Sequence, residues 1–442
     1  MNRNLYSLLF YLGLPFVALR LWWRGRKAPA YRRRIGERFA LGLPQFRQGG
    51  IWLHAVSVGE SIAAAPVVRA LQQRYPDLPV TITCMTPTGS ERIRALFGDS
   101  VQHCYLPYDL PCRARKFLTA LKPVLGIVME TELWPNHIHQ CARMNVPVVL
   151  ANARLSERSA RGYARFPRLT APMLAQLSGI AVQTRAEAGR FLQLGARPET
   201  VQVTGSIKFD LHIQPQLLQT AQQLREQWQL EQRKVWIAGS THEGEDLLML
   251  EAHQQLLQAF PEALLILVPR HPERFDTVYR LCRAQGLEVM RRSSAEPVSV
   301  ATRVLLGDTM GEMLLLYALA DVALVGGSLV PHGGHNLLEP VALGKPVLSG
   351  PYVQNFLEIT GQLKDAGALR EVSSASDTAT AVARLWTDPK ARQDMQQAGQ
   401  QVLKANQGAL ERLLQLVSGF LEPLRQPSAA MEMRKTTTEE TP

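Results

Sequence analysis

Two glycine pairs lie in a short stretch that also carries polar side chains able to hold a ligand. Residues 321–350 contain Gly-Gly at 326–327 and at 333–334, followed by Asn336 and Glu339. Glycines let a backbone approach an anion closely, and a helix N-terminus offers unpaired N–H groups. The stretch reads as strand, loop, helix N-terminus and strand, which predicts half of a nucleotide or nucleotide-sugar site. An ordinary turn that needs glycine for its geometry is the alternative.

Three carboxylates follow apolar runs in the first half of the chain. Glu60 lies where the run 51–55 meets a predicted helix, whose dipole would keep the carboxylate ionised. Glu130 and Glu132 flank one threonine directly after the run 124–129, and they share a face if the chain is extended there. These side chains are candidates for acid–base chemistry. The structural alternatives are a helix cap for Glu60 and an ion pair for one of the other two.

One lysine belongs with these candidates, whereas the sequence offers no motif for a metal. Lys208 follows the last apolar run of the first half, although a lone lysine is also a common solvated surface residue. The chain has no H-E-x-x-H, D-x-D or P-loop motif, so neither a metal nor a Walker-type triphosphate site is expected. Its five scattered cysteines indicate neither a disulfide framework nor a zinc site.

The elements that must position these residues alternate between short apolar runs and helix-length segments. This alternation predicts an α/β fold with parallel sheets, in which ligands bind beyond the carboxyl ends of the strands. Polar residues and glycines at nearly every such end describe a cleft between two facing sheets. The candidate strands are residues 51–55, 80–84, 124–129, 146–150, 180–182 and 201–204, then 235–238, 263–268, 304–306, 322–325 and 346–348.

Length and charge narrow the class of protein. A chain of 442 residues is too long for one core, so two domains are expected. The net charge of +11 favours anionic partners, but nucleic acid is not expected because much of the basic density follows the N-terminal apolar segment. Residues 5–19 carry no charge, which predicts an uncleaved membrane anchor that either spans or lies in the interface. A cleaved signal peptide and a buried amphipathic helix are the alternatives.

Five motifs taken together resemble a known family. They are residues 54–60 (HAVSVGE), 130–136 (ETELWPN), 205–210 (GSIKFD), 269–271 (PRH) and 333–340 (GGHNLLEP). They closely resemble the 3-deoxy-D-manno-octulosonic acid (Kdo) transferases of lipopolysaccharide synthesis, over nearly the whole chain. The resemblance implies a GT-B fold, with two facing Rossmann-like α/β domains, an interdomain cleft and an N-terminal membrane-anchor helix.

The resemblance also implies a domain plan and a location. Residues 1–25 would be the anchor, 26–208 the acceptor-binding domain and 209–425 the donor-binding domain with the C-terminal helices. Residues 426–442, which lose hydrophobic periodicity, would be a disordered tail. The protein would sit at the cell inner membrane with its catalytic domains on the cytoplasmic side, against an anionic surface.

The reaction implied by the resemblance is an inverting transfer of Kdo from CMP-Kdo to lipid IVA, the lipid A precursor, with release of CMP and with neither a metal nor a cofactor. Glu60 matches the general base of the family, and Glu130 and Lys208 match positions that stabilise the transition state. The positions that match CMP-binding segments are Pro269, Arg270, Thr309, Met310, Gly311, Asn336, Leu337, Leu338 and Glu339.

Two other functions fit parts of the sequence. A UDP-sugar transferase or epimerase of the cell envelope would share the fold but should lack the block at residues 130–136. A membrane-attached nucleotide- or lipid-binding protein would catalyse no transfer, and its function would not depend on the carboxylate of Glu60.

Overall fold

The computed structural model describes residues 1–424, so the expected tail at 426–442 lies outside the described residues. The chain forms two compact units. Residues 1–207 and the segment from 408 onward make the first unit, and residues 208–407 make the second. The break at Ile207 and Lys208 is one residue from the boundary expected from the sequence.

The first unit is built on a parallel sheet of seven strands in the order β3-β2-β1-β4-β5-β6-β7. Helices precede or follow each strand, as the sequence alternation predicts. The strands are β1 Ile51–His54, β2 Val80–Cys84, β3 Gln102–Tyr105, β4 Leu125–Met129, β5 Val148–Ala153, β6 Gly179–Val182 and β7 Val201–Val203. The helices are α1 Arg3–Lys27, α2 Ile35–Arg38, α3 Val58–Arg74, α4 Pro87–Phe97, α5 Pro111–Leu121, α6 Pro135–Arg143, α7 Glu157–Ala164, α8 Pro167–Ala175 and α9 Arg185–Gln193.

The second unit repeats this plan with seven parallel strands in the order β10-β11-β9-β8-β12-β13-β14. The strands are β8 Val235–Thr241, β9 Leu264–Pro269, β10 Val289–Arg291, β11 Val304–Leu306, β12 Val322–Val325, β13 Val347–Ser349 and β14 Leu369–Glu371. The helices are α10 Pro215–Gln227, α11 Glu245–Ala259, α12 Phe275–Ala284, α13 Met313–Leu319, α14 Leu338–Ala342, α15 Leu357–Asp365, α16 Ala375–Thr387 and α17 Pro389–Asn406. A final helix, α18 Ala409–Leu421, completes the first unit.

The parallel α/β prediction is confirmed, and every candidate strand overlaps a strand of the structure. The sequence missed β3, β10 and β14, each of which lies at an edge of its sheet. Central strands such as β1 and β4 are buried throughout and read as continuous apolar runs. An edge strand has fewer neighbours to cover it, so its sequence can be polar and carries no such signal.

The assignment of the C-terminal helices to the second unit was wrong for α18. Leu413, Leu414, Val417 and Leu421 of this helix are buried in the core that covers one face of the first sheet. The β1 residues Ile51 and Leu53 lie in the same core. The chain therefore returns to the first unit after completing the second, because the face of the first sheet needs this helix to exclude water.

Helix α1 has one face on the first unit and one face open. It has 25 residues and, by length and composition alone, is apolar enough to cross a membrane. Ser7 and Leu21 are buried, whereas Phe16 is 75% exposed. Six of the exposed apolar residues recur at helical spacing, which makes one stripe. Its members are Leu5, Leu8, Leu12, Phe16, Leu19 and Trp23.

Truncation of a buried leucine in α18 tests whether this helix stabilises the first unit or the second. We expect Leu414→Ala to lower the free energy of unfolding of the first unit by about 2–5 kcal/mol, because it leaves a cavity in that core. Hydrogen exchange should accelerate at β1 and β4 and stay unchanged in the second sheet. Leu385→Ala in α16, whose side chain lies in a core of the second unit, should give the opposite pattern. Faster exchange of the second sheet in Leu414→Ala would contradict the assignment.

Candidate functional site

Glu60 forms a reciprocal cap at the beginning of α3. Its Oε2 accepts a hydrogen bond from the Val56 N–H at 2.8 Å, and its Oε1 accepts one from Ser57 Oγ at 2.9 Å. Ser57, the residue that caps α3, accepts in turn from the Glu60 N–H at 3.4 Å. This is a variant of the capping box, in which the glutamate accepts from the N–H of the residue before the cap and from the hydroxyl of the cap itself. The structural alternative given for Glu60 is therefore present, and it fixes the direction of the carboxylate.

The environment of Glu60 favours the protonated form more than the helix dipole alone would. Burial raises the pKa of Glu60, the nearby charge of Glu130 raises it further, and the bonds from Val56 and Ser57 offset part of the rise. The expectation that the helix dipole keeps this carboxylate ionised took no account of burial, which acts in the opposite direction. A carboxylate with a raised pKa is a stronger proton acceptor once it is ionised.

Glu130 and Glu132 lie in a turn directly after β4. Glu130 adopts a left-handed backbone conformation (φ 54°), and its N–H bonds to Ala151 O at 2.9 Å. The Leu133 N–H bonds to Thr131 O at 2.9 Å, so the chain turns here and the condition of an extended backbone, under which the two would share a face, is not met. A left-handed residue other than glycine costs about 1–3 kcal/mol, and such strain is found at functional sites.

The three carboxylates nevertheless meet. Burial raises the pKa of Glu132 to about 7, and the charges of Glu60 and Glu130 contribute to the rise. The Trp134 side chain offsets part of it. Like charges this close resist simultaneous ionisation, so Glu60 and Glu132 hold protons more tightly than isolated carboxylates do. The arrangement can accept a proton from a bound hydroxyl.

In the second unit, a carboxylate that the sequence reading missed organises the first glycine pair. Glu245 is fully buried at the beginning of α11. Its Oε2 accepts from the N–H groups of His242 at 2.9 Å and Gly327 at 2.7 Å, and its Oε1 accepts from Ser328 at 3.0 Å and Leu329 at 2.8 Å. The N–H groups after β12 therefore serve the fold. A carboxylate at a helix start right after a strand is the local signal that could have found it.

The second glycine pair shapes a loop more than it starts a helix. Gly333 and Gly334 both have positive φ, at 96° and 76°, which favours glycine. The helix that follows, α14, begins only at Leu338 and has five residues, so the expected helix N-terminus at the glycines was wrong. The side chains of Leu337 and Leu338 are buried in the core, which leaves only their backbone available to a ligand.

The polar residues of this loop form a small cluster with Arg270. Asn336 Nδ2 donates to Glu339 Oε1 at 3.2 Å, and Asn336 Oδ1 accepts from the Leu338 N–H at 3.2 Å. Burial raises the pKa of Glu339, while Asn336 and the positive charge of Arg270 offset part of the rise. Arg270 follows Pro269, the last residue of β9. The structure therefore brings together the predicted residues at 269–270 and 336–339.

Four histidines lie beside this cluster, and the sequence reading assigned none of them a predicted role. His242 Nε2 and His335 Nε2 are 2.9 Å apart, so one ring donates and the other accepts. The His332 ring stacks on His242 with centroids 4.0 Å apart, and the His271 ring lies edge-on at 5.3 Å. Burial, helped by neighbouring cations, lowers the pKa of His242 to about 4 and that of His335 to about 3.

The remaining predicted residues follow β11, which pairs with β9, or lie at the beginning of the second unit. Thr309 hydrogen-bonds Glu312 through its hydroxyl, Met310 is exposed, and Gly311 has φ 88°, so this segment is a turn after β11. Lys208 belongs to the second unit, unlike Glu60 and Glu130, and its Nζ lies 5.5 Å from the centroid of the Phe356 ring. Within residues 1–424, no group of three or more His, Cys, Asp or Glu side chains is arranged to hold a metal ion.

Known proteins resemble the chain over nearly its whole length. Residues 33–211 match the family model described as 3-deoxy-D-manno-octulosonic-acid transferase, and residues 248–402 match glycosyl transferases group 1. The chain is 46% identical to the 3-deoxy-D-manno-octulosonic acid transferase of Haemophilus influenzae, over 96% of this chain and 99% of that one. It is 37% identical to the Bordetella pertussis enzyme of that name, over 95% of this chain and 100% of that one.

Solved structures of other enzymes share the architecture. The UDP-GlcNAc 2-epimerase of Neisseria meningitidis, solved with bound UDP-GlcNAc, superposes with a TM-score of 0.56 at 16% sequence identity. The match covers 83% of this chain and 99% of that one. At this identity the likeness concerns the fold alone, which is the two-sheet plan of GT-B proteins.

The Glu245 carboxylate can be tested by an isosteric change. We expect Glu245→Gln to lower the free energy of unfolding of the second unit by about 1–3 kcal/mol, because an amide NH₂ cannot accept from the N–H groups left facing it. Amide exchange at residues 327–329 should accelerate. Glu243→Gln, a neighbouring exposed change, is the control. Equal effects of the two variants would show that the carboxylate does not hold the loop.

The raised pKa of Glu132 predicts a pH dependence of stability. Its folded pKa of about 7 lies above the ordinary 4.5, so the folded state holds an extra proton between these values and loses stability as the pH rises through them. Glu132→Gln should therefore be more stable than wild type at pH 8 and similar to it at pH 4. Urea unfolding across this range measures the difference. A variant that is less stable at pH 8 would refute the shift.

Proposed function

The chain belongs to the family of 3-deoxy-D-manno-octulosonic acid transferases, and we propose that it transfers Kdo from CMP-Kdo to lipid IVA with inversion and release of CMP. Family membership makes it a glycosyltransferase that acts in lipopolysaccharide biosynthesis. The observation that carries the finer proposal is the group formed by buried Glu60 with the half-buried Glu130 and Glu132.

Glu60 is the general base of the proposed reaction. An inverting transfer needs a proton acceptor within hydrogen-bond reach of the attacking hydroxyl, on the face opposite the leaving group. The capping box aims the Glu60 carboxylate, and burial raises its pKa. Both features support the role. A fixed carboxylate can face the attacking hydroxyl in one productive direction, and a raised pKa favours uptake of the hydroxyl proton as the new bond forms.

Glu130 and Lys208 stabilise the charges that develop during transfer. A sugar that departs from its phosphate gains positive character at the anomeric carbon, which the negative charge of Glu130 can balance. Lys208 takes a negative charge of the donor, on either the sugar carboxylate or the departing phosphate. The left-handed backbone of Glu130 supports this assignment, because strain of this kind is retained where a side chain must be aimed.

The second unit holds the donor. CMP is a good leaving group, so the protein has to supply positive charge and N–H donors to the phosphate more than an acid. Arg270 and the loop at 333–336 supply these, since the N–H groups at 327–329 are engaged by Glu245. Asn336 and Glu339 bind the nucleoside, and Pro269, Thr309, Met310, Gly311, Leu337 and Leu338 contribute through their backbone.

The first unit faces the cytoplasmic leaflet of the inner membrane. The exposed stripe of α1 provides apolar contact with lipid. A groove between α5 and α6 is lined by Arg115, Lys116 and Arg143 and suits an anionic surface. A diphosphorylated, acylated acceptor stays in that leaflet, so attachment to the membrane restricts the search for it to two dimensions.

A transfer assay tests the whole proposal. Purified full-length protein is incubated with CMP-Kdo and lipid IVA in the presence of EDTA, and the product is weighed by mass spectrometry. We expect a mass gain of one or more Kdo residues and release of CMP. Parallel reactions with UDP-sugars should give no product. No gain with CMP-Kdo would overturn the proposal, and loss of activity in EDTA would overturn its metal-free part.

Two variants separate the chemical role of Glu60 from its capping role. We expect Glu60→Gln to reduce kcat by about 10²–10⁴-fold, because the amide cannot take the proton, and to leave CMP binding within about twofold. Ser57→Ala removes the hydroxyl of the cap but leaves the Val56 N–H bond that aims the carboxylate, so it should cost about 1 kcal/mol of stability and keep most of the activity.

The assignment fails if the two variants lose activity equally, since the cap would then explain the effect. It also fails if Glu60→Gln abolishes CMP binding in calorimetry, because a base in the first unit has no direct role in holding the nucleotide.

A further inference from the structure

We propose that Asn136 is a positioning residue that connects helix α1 to residues 130–134, here called the carboxylate turn. When α1 is packed against the first unit, its seated position, this connection sets the geometry of Glu130 and Glu132. The inference rests on the proposed transfer to a membrane-held acceptor. It gives the N-terminal helix a part in catalysis beyond attachment to the membrane.

The connection begins at a buried carboxylate that caps α6. Asp109 is fully buried, and it accepts hydrogen bonds from the N–H groups of Asn136 at 3.0 Å and His137 at 2.9 Å. It also bonds His137 Nδ1 at 2.7 Å. Trp134, the residue at the N-cap of α6, provides no side-chain cap. The first turn of α6 is therefore fixed by a residue from another segment of the chain.

The Asn136 side chain extends this arrangement to α1. Its Nδ2 donates to the Asp109 carbonyl at 2.7 Å, and its Oδ1 lies 3.1 Å from both Arg3 Nη1 and Ser7 Oγ. Asn136 is fully buried, and Ser7 is 7% exposed. A buried amide that is bonded on both sides has little freedom to turn, since any rotation leaves a polar atom unpaired.

The carboxylate turn is too short to absorb a movement of α6. Only residues 130–134 separate the end of β4 at Met129 from the start of α6 at Pro135. The β4 end is held by the bond from Glu130 N–H to Ala151 O, and the other end is held by Asp109. A displacement of the first turn of α6 must therefore move Glu130 and Glu132 relative to Glu60.

Helix α1 is suited to transmit such a displacement. Its polar contacts to Asn136 lie on the face packed against the first unit, whereas the stripe from Leu5 to Trp23 is exposed. A bilayer that takes up the stripe holds the helix along the protein surface. Binding to lipid then favours the seated position of α1, in which Asn136 keeps both partners.

The test separates seating from membrane attachment in the full-length protein. One variant, Arg3→Met with Ser7→Ala, removes both donors to Asn136 Oδ1 and leaves the apolar stripe intact. A second, Trp22→Ala with Trp23→Ala, weakens contact with lipid and leaves the Asn136 bonds intact. Each is assayed for kcat and KM with lipid IVA, and for co-sedimentation with vesicles of phosphatidylethanolamine and phosphatidylglycerol.

We expect the Arg3/Ser7 variant to lose about 10- to 100-fold in kcat, as for a misplaced catalytic group, with KM and vesicle binding within about twofold of wild type. The tryptophan variant should show the reverse, with a raised KM, weaker sedimentation and an unchanged kcat. Arg3→Lys with Ser7→Thr, which keeps a cation and a hydroxyl, should recover most of kcat. The single change Ser7→Ala serves if the double variant does not fold.

An unchanged kcat in the Arg3/Ser7 variant overturns the inference, as does a loss of kcat that follows vesicle binding or that the conservative pair fails to recover. A wild-type protein without any transfer would instead overturn the proposed function, so the two failures are distinguishable.

Discussion

The repulsion among three carboxylates is the constraint on which the first unit depends. Burial raises the pKa of Glu60 and of Glu132, and the negative charge of Glu130 adds to both shifts. Such a group stays together only if the surrounding backbone leaves its members no room to separate. The capping box holds Glu60, the left-handed residue holds Glu130, and the Asp109 cap holds the far end of the turn. Keeping the three carboxylates together costs free energy of folding, and the burial of apolar side chains in the core of the first sheet offsets that cost.

The second unit uses a buried carboxylate in the opposite way. Glu245 meets four backbone N–H groups, so its negative charge is fully hydrogen-bonded and shapes the loop after β12. Burial and neighbouring positive charge lower the pKa of His242 and of His335, which favours their neutral forms. The first unit thus brings together groups that compete for protons, while the second presents a preformed polar surface. This division suits a reaction in which one partner must lose a proton and the other must leave as an anion.

The sequence predicted what depends on local pattern and missed what depends on strand order. Central strands were found because apolar runs mark them, and Glu60 was found because a carboxylate follows a strand. That Glu132 meets Glu60 follows from the pairing of β1 with β4, which are separated along the chain by β2 and β3. No spacing rule gives this order.

The histidine cluster shows the same limit. Its members come from the ends of three neighbouring strands, β8, β9 and β12, and the sequence separates them by up to 93 positions. The resemblance to a family supplied residues 269–270 and 336–339 together, whereas composition and periodicity gave them only as separate strand ends. The left-handed backbone at Glu130 had no signal either, because the residue type does not favour that conformation.

The return of α18 to the first unit makes the second unit an insertion within the first. During synthesis the strands of the first sheet emerge early, but the helix that covers one of its faces emerges only after about 200 further residues. The second unit, which is continuous in sequence, can complete its core before the first. Until α18 arrives, the part of that face which α3 and α4 leave uncovered is open to chaperones, and synthesis of the intervening unit sets how long that exposure lasts.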